Sequence, residues 1–293
     1  MRQPQYLRRQ GILQILLSGF CFGFLGVFGK TAYSLGLTPG VFLSLRFLMA
    51  SGILGIVLAL RAPEVLRVGR WPALRALLLG MFGYALFSSC FFYALHGLSV
   101  SLTVLLLYTY PLWVTVGARF FFGEHLSPKQ WAALPIVLGG LLLLLWGELQ
   151  ARDPFSLVLG MLSSVFYANY ILNSRRWLKD VAPLGSAFYV MLGAGLVLAS
   201  LHLRTLPSNP QVWLVLLGTS VVSTIFAISL FLAGLQKLSG AEASMLSLAE
   251  PITAVFLGVI VFGEKLLPIQ WSGALLIAVG MLLVAWPKRA LAT

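Results

Sequence analysis

One acidic and one basic residue lie deep inside long apolar stretches of this chain. Glu250 is enclosed by the apolar run 241–262, and Arg46 by the run 39–60. If these runs cross a membrane, a charge there costs about 2.5–3.5 kcal/mol on insertion scales, so it should face protein or water and have a partner. Three roles are open: Arg46 pairs with Glu250, Glu250 binds an amine or a coupling proton, or Arg46 extends outward to the membrane surface.

Hydroxyl and aromatic side chains recur three or four residues apart on several apolar runs. Residues at that spacing share one face of an α-helix. Such a face suits a ligand with a ring and a small polar head, although the same residues are common where membrane helices simply pack. The candidate binding residues are Tyr84, Ser88, Phe91, Tyr110, Ser163, Tyr167, Tyr170, Ser223, Ser244, Ser247 and Glu250.

Pro111 and Pro251 interrupt two apolar runs near their middle. A proline inside a helix removes a backbone hydrogen bond and clashes with the preceding turn, so it kinks the helix. At the helical rise, each proline lies about 15 Å from the start of its run. The two prolines are either paired hinges, whose bending opens and closes a pathway, or static kinks that pack.

The remaining reactive residues are scattered. Three histidines have no partners at metal spacing, and Cys21 and Cys90 lie far apart inside apolar runs, where small packing residues are expected. Catalysis inside a membrane would need His, Asp or Cys groups clustered at one depth. We therefore expect no catalytic residues, no metal and no cofactor, and we do not expect an enzyme.

The elements that position these residues are predicted to be membrane helices. Of 293 residues, 59% are hydrophobic and 10% are charged, whereas a soluble domain carries about 25% charged residues. The first run is longer than the apolar region of a signal peptide and has no cleavage site. Ten runs of membrane-spanning length lie at 11–32, 39–60, 72–95, 100–122, 128–147, 155–174, 183–203, 211–235, 241–262 and 268–286.

The charges orient these helices. With ten spans, fifteen of the twenty Lys and Arg residues fall on the side that holds both termini and four fall on the other side. Positive residues are enriched in cytoplasmic loops, so both termini are predicted to be cytoplasmic, in a multi-pass protein of the cell (inner) membrane. Because the net charge of +12 is spread over short connections, no nucleic-acid partner is expected.

An internal repeat appears at an offset of 140 residues. The string FGE-x-L-x-P-x-QW occurs at 122–131 and again at 262–271, and Pro111 matches Pro251. The sequence thus divides into halves at 1–150 and 151–293, each with five helices. An odd number inverts the second half, a plan common among secondary transporters whose site lies near mid-bilayer. Glu124 and Glu264 of the repeat are interpreted as caps or short-range charge partners.

Tyr110-Pro111, Glu250-Pro251 and the Phe-Gly-Glu-x-Leu helix ends resemble the EamA-type family of the drug/metabolite transporter superfamily. The resemblance covers nearly the whole chain. Within the family, the chain most resembles the YddG-type exporters of aromatic amino acids. This resemblance implies an EamA-like bundle with helices 1, 3, 4, 6, 8 and 9 around a central cavity and helices 5 and 10 at its side.

The expected function is export of amino acids, first of all aromatic amino acids and their analogues, by alternating access with bending at helices 4 and 9. Threonine, homoserine, methionine, purines and drugs are alternative substrates, and facilitated diffusion is as plausible as proton antiport. A non-transport membrane protein or a membrane enzyme is a remote alternative. The expected partners are a small-molecule substrate and the lipid bilayer, and a monomer could hold a complete pathway.

Overall fold

Ten long helices form the chain in this computed structural model, which describes residues 5–94, 97–98, 100–124, 127–146, 154–263 and 265–285. Helices 4 and 9 each consist of two segments: helix 4a (Val100–Leu107), helix 4b (Tyr110–Phe122), helix 9a (Gly240–Leu246) and helix 9b (Ala249–Phe262). The others are helix 1 (Gln5–Ser34), helix 2 (Pro39–Arg61), helix 3 (Arg70–Ala94), helix 5 (Pro128–Leu144), helix 6 (Pro154–Trp177), helix 7 (Pro183–His202), helix 8 (Pro210–Leu235) and helix 10 (Pro268–Ala285).

The outside of this bundle is apolar. Leu60, Phe120 and Ile260 are 76%, 80% and 76% exposed. Exposure of so large an apolar surface to water is unfavourable, so this surface is expected to face lipid. Among the described residues, nine helices are long and apolar enough to cross a membrane, and helix 5 is a shorter apolar helix of 17 residues. The predicted all-α polytopic membrane protein of ten helices is confirmed.

The repeated sequence string is a helix connector used twice. Gly123 ends helix 4b and Gly263 ends helix 9b, both in the left-handed conformation with φ of 62° and 67°, where glycine has no steric penalty. A proline then begins the next helix, where its missing amide is harmless. The Gln130 side chain accepts a bond from the Ser127 amide at 2.8 Å, and Gln270 accepts from the Leu267 amide at 2.9 Å.

Both halves also share an irregularity in their third helix. Helix 3 contains a π-helical stretch at Leu79–Tyr84, and helix 8 contains one at Val221–Phe226. Such wider turns are rare and often lie at functional sites. The boundary between the predicted halves at 150/151 falls outside the described residues, so the domain limits 1–150 and 151–293 stay a prediction.

Glycines allow the closest helix contacts. Gly19 and Gly23, four residues apart, lie where helix 1 meets helix 9b, and a Cβ atom added at Gly19 would be 3.0 Å from the Glu250 amide nitrogen. Helices 5 and 10 pack against each other through Gly140 and Gly273. Small residues at such positions let membrane helices approach until their backbones touch.

Gly139→Ala and Gly140→Ala form a matched test of this packing. A Cβ at Gly140 would lie 2.8 Å from the Gly273 carbonyl oxygen, whereas a Cβ at Gly139 meets nothing within 4 Å. Gly140→Ala should therefore destabilise the protein by about 1–3 kcal/mol. Gly139→Ala should be neutral or stabilise by up to about 1 kcal/mol, because alanine favours helix.

The measurement is the apparent Tm of the detergent-purified variants. Shifts of the same sign and size for the two substitutions would show that helices 5 and 10 do not meet at Gly140.

Candidate functional site

Five tyrosines meet at mid-depth and form what we call the tyrosine cluster: Tyr84, Tyr108, Tyr110, Tyr167 and Tyr170. Their ring centroids are 5.2 Å apart for Tyr84 and Tyr170, 6.0 Å for Tyr170 and Tyr167, 4.6 Å for Tyr167 and Tyr110, and 5.9 Å for Tyr110 and Tyr108. The Tyr84–Tyr170 and Tyr167–Tyr110 contacts are edge-to-face, an arrangement that aromatic rings prefer. The cluster joins helices 3, 4 and 6, and all but the half-buried Tyr167 are buried.

The two proline kinks border this cluster. Helix 4 is broken at Tyr108 and Thr109, and helix 9 at Ser247 and Leu248. Each break precedes its proline by two to four residues, where the missing amide and the steric clash of the ring interrupt the helical hydrogen bonds. The predicted kinks at Pro111 and Pro251 are present, while their action as hinges stays a prediction.

A hydrogen bond ties the two kinked helices together. In helix 9 the Leu248 amide bonds to the Met245 carbonyl at 3.4 Å, not to Ser244 one turn back. The Tyr110 hydroxyl of helix 4b donates to the Ser244 carbonyl at 3.2 Å. A buried carbonyl that loses its helical partner needs another one, and Tyr110 supplies it from across the bundle.

Glu250 lies two residues past the break in helix 9 and is half-buried. Tyr108, at the break in helix 4, lies close enough to its carboxylate for the two side chains to interact. On the opposite side, the close approach of Gly19 brings helix 1 against the Glu250 backbone. Tyr108 itself was not among the predicted binding residues, because the three-to-four spacing rule fails where a helix is interrupted.

Arg46 is almost completely enclosed, with 2% of its surface exposed. Its guanidinium lies 4.5 Å from the centre of the Phe47 ring and faces Tyr84 and Tyr33. The alternative that Arg46 extends outward to the membrane surface is therefore wrong: neighbouring rings hold the side chain inside. Within the described part of the chain, no ion pair joins Arg46 to Glu250, although the two charges interact at longer range.

The predicted serines are mostly engaged within the protein. Ser163, Ser244 and Ser247 donate to carbonyls of their own helices, as hydroxyls in helices often do. Ser223 of helix 8 donates to the Cys21 carbonyl of helix 1 at 2.8 Å. Ser88 is buried one turn beyond Tyr84, while Phe91 contacts Phe92 and is not part of the tyrosine cluster. The predicted tyrosines thus form one cluster in the structure, whereas the predicted serines do not.

Ion pairs join helix ends on the side of the bundle that holds the beginning of helix 1. Arg8 pairs with Glu242 of helix 9a at 3.0 Å and also donates to the Val284 and Ala285 carbonyls at the end of helix 10. Arg175 of helix 6 pairs with Glu124, which confirms the predicted role of that residue as a charge partner. Its repeat mate Glu264 lies outside the described residues.

The Arg8–Glu242 contact was not predicted. The sequence does contain a Ser-x-x-Glu pattern at 239–242, which is typical of a capping box. In the structure, Ser239 and Glu242 form this capping box, which fixes the Glu242 side chain at the start of helix 9a. In the described part of the chain, no group of three or more His, Cys, Asp or Glu residues could hold a metal ion. The site therefore offers aromatic faces, tyrosine hydroxyls, one carboxylate and one guanidinium.

Comparison with known proteins agrees with this architecture. A solved crystal structure matches with a TM-score of 0.80 and 20% identity, covering 93% of this chain and 95% of the other, which shows a shared fold. An uncharacterised transporter from Archaeoglobus fulgidus is 32% identical over 280 residues, which is 95% of this chain and 97% of that protein.

Two further relatives are inner-membrane or export proteins by name. The uncharacterised inner membrane transporter YedA from Escherichia coli K12 is 26% identical and covers 93% of this chain and 91% of its own. The pseudopaline exporter CntI from Pseudomonas aeruginosa is 28% identical over 223 residues, covering 75% of this chain and 76% of its own. The family model for the EamA-like transporter family matches residues 9–146 and 154–286, so the chain belongs to this family of membrane transporters.

Proposed function

We propose that this transporter exports amino acids, and aromatic amino acids first, through a central cavity at the tyrosine cluster. The observation that supports it is the position of Glu250, a carboxylate placed beside the rings of the tyrosine cluster at the break in helix 9. Rings bind rings, and a carboxylate can hold an ammonium group in a site shielded from water. The same carboxylate could instead carry a coupling proton.

The other predicted substrates are alternatives to this assignment. CntI is named for the export of pseudopaline, which supports export as the direction of transport but leaves the substrate of the present chain open. Threonine, homoserine and methionine lack the ring, and purines lack the ammonium and carboxylate groups, so each would use the tyrosine cluster differently. Drugs, the remaining alternative, share no single chemistry.

Alternating access requires one end of the pathway to close while the other opens. We propose that both termini are cytoplasmic, as the distribution of Lys and Arg predicts, and that the closed end of the pathway is therefore the cytoplasmic one. Every residue of helix 9a is buried, Val114 of helix 4b packs on Gly240, and the pairs Arg8–Glu242 and Arg175–Glu124 tie neighbouring helix ends. Bending at the breaks near Pro111 and Pro251 would separate helices 4b and 9a and open this end.

The inverted relation of the two halves supports such a cycle. Tyr110 and Glu250 occupy equivalent positions of the repeat, and each reaches the opposite kinked helix, Tyr110 to Ser244 and Glu250 to Tyr108. A single chain carries both kinks and the whole tyrosine cluster, so we propose that a monomer contains a complete pathway in the cell (inner) membrane.

The substrate assignment can be tested by uptake of labelled L-phenylalanine into liposomes that contain the purified protein. We expect uptake above that of protein-free liposomes, and inhibition by tryptophan and tyrosine but not by threonine. Tyr167→Leu should weaken phenylalanine transport about two- to tenfold, because a ring contact adds about 0.5–1.5 kcal/mol beyond burial. Tyr6→Leu, at an exposed position near the chain start, is the matched control.

Inhibition by threonine or a purine, with no effect of tryptophan, would contradict aromatic specificity while leaving transport itself in place. Equal loss of transport in the Tyr167 and Tyr6 variants would show that the tyrosine cluster does not select the substrate.

Glu250→Gln separates the two roles of the carboxylate. Glutamine keeps the shape but cannot gain or lose a proton. If Glu250 carries the coupling proton, phenylalanine transport by the wild type changes with pH and with an imposed pH gradient, and the variant loses both responses. If Glu250 binds only the ammonium group, the variant binds phenylalanine more weakly and keeps the response to pH. An unaltered affinity and an unaltered pH profile together would remove Glu250 from the site.

A further inference from the structure

Arg46 is a buried cation for which the structure provides no contacting carboxylate. Its side chain is 98% enclosed, its Nε atom has no hydrogen-bond partner, and the Phe47, Tyr84 and Tyr33 side chains that it faces are uncharged. Burying a charge without a paired anion is expensive. A leucine at this position would avoid that cost, so the presence of a charged side chain here needs a functional explanation.

The position of Arg46 at the edge of the tyrosine cluster suggests such a function. Tyr84, which faces the guanidinium, also packs on Tyr170 with ring centroids 5.2 Å apart, so Arg46 borders the tyrosine cluster from helix 2. Glu250 borders the same cluster through Tyr108. The aromatic rings therefore have a cation at one edge and a carboxylate at another, and the two charges attract each other without touching.

We propose that Arg46 binds the carboxylate of the transported compound. This inference rests on the proposed function and narrows it, because the substrates would then be aromatic carboxylates and zwitterions, and not amines or neutral rings. A guanidinium binds a carboxylate through two parallel N–H bonds. The unpaired Nε and a neighbouring Nη form one such edge.

Access to Arg46 requires a side chain to move, since the guanidinium is enclosed. Tyr84 is the last residue of the π-helical stretch in helix 3, a type of turn with irregular hydrogen bonding that is common at functional sites. A shift of Tyr84, which also packs edge-to-face on Phe47 with ring centroids 5.2 Å apart, would expose Arg46 to the tyrosine cluster.

The test compares carboxylates with their amides. Purified protein is heated with 3-phenylpropanoate or 3-phenylpropanamide, and the shift in Tm reports binding independently of transport. Inhibition of phenylalanine uptake by L-phenylalanine and L-phenylalaninamide is measured in parallel. The wild type should prefer the carboxylates about 10- to 100-fold, and Arg46→Gln should lose this preference. Arg61→Gln, at the exposed end of the same helix, should keep it.

The results separate this inference from the proposed function. Phenylalanine transport with no preference for carboxylates, or an equal preference in Arg46→Gln, overturns the inference and leaves the function standing. Carboxylate binding that depends on Arg46 without phenylalanine transport supports the inference and overturns the function. If Arg46→Gln does not fold, Arg46→Lys decides: a preference several-fold weaker supports a two-point contact, and an unchanged preference overturns it.

Discussion

The hydrogen bond from Tyr110 to the Ser244 carbonyl shows the constraint on which this structure depends. Proline kinks free backbone carbonyls in the middle of a membrane, where no solvent can bind them and each unpaired group costs several kcal/mol. The chain must therefore bring polar side chains to the kinks from neighbouring helices. Tyr110 also belongs to the tyrosine cluster, so the polar group that the kinked backbone requires lies within the proposed binding site.

The two halves solve this problem with the same backbone and different side chains. Both have a wide turn in the third helix, a broken fourth helix and a Gly–Pro connector. At equivalent positions, however, one half has Tyr110 and the other Glu250. The duplicated scaffold gives matched kinks, while both halves contribute tyrosines to the cluster and each half contributes one of the two charges, Arg46 or Glu250.

The sequence predicts the helices and kinks well because both follow from local properties. Apolar length requires a membrane span, and a central proline requires a kink. The contacts between helices depend instead on packing that no local pattern encodes. The Arg46 side chain is long enough to extend outward, and it stays inside because the Phe47 and Tyr84 rings enclose it.

Residue spacing along the sequence does not predict several other features of the site. Tyr108 lies where helix 4 is broken, so helical periodicity does not place it on the cluster face. The π-helical stretches have no sequence signature that distinguishes them from ordinary apolar helix. Ser163 lies at helical spacing from Tyr167, and Ser244 and Ser247 lie at helical spacing from Glu250, but all three hydroxyls bond to carbonyls of their own helices.

We propose that helices 4b and 9a separate during transport. The most direct measurement is a reversible cross-link between Val114→Cys and Gly240→Cys, whose side chains would be in contact, in a protein with Cys21 and Cys90 replaced by alanine. Oxidation should stop phenylalanine transport, and reduction should restore it. Full transport by the completely cross-linked protein would contradict this separation, because the pathway would then open without any movement of these two segments.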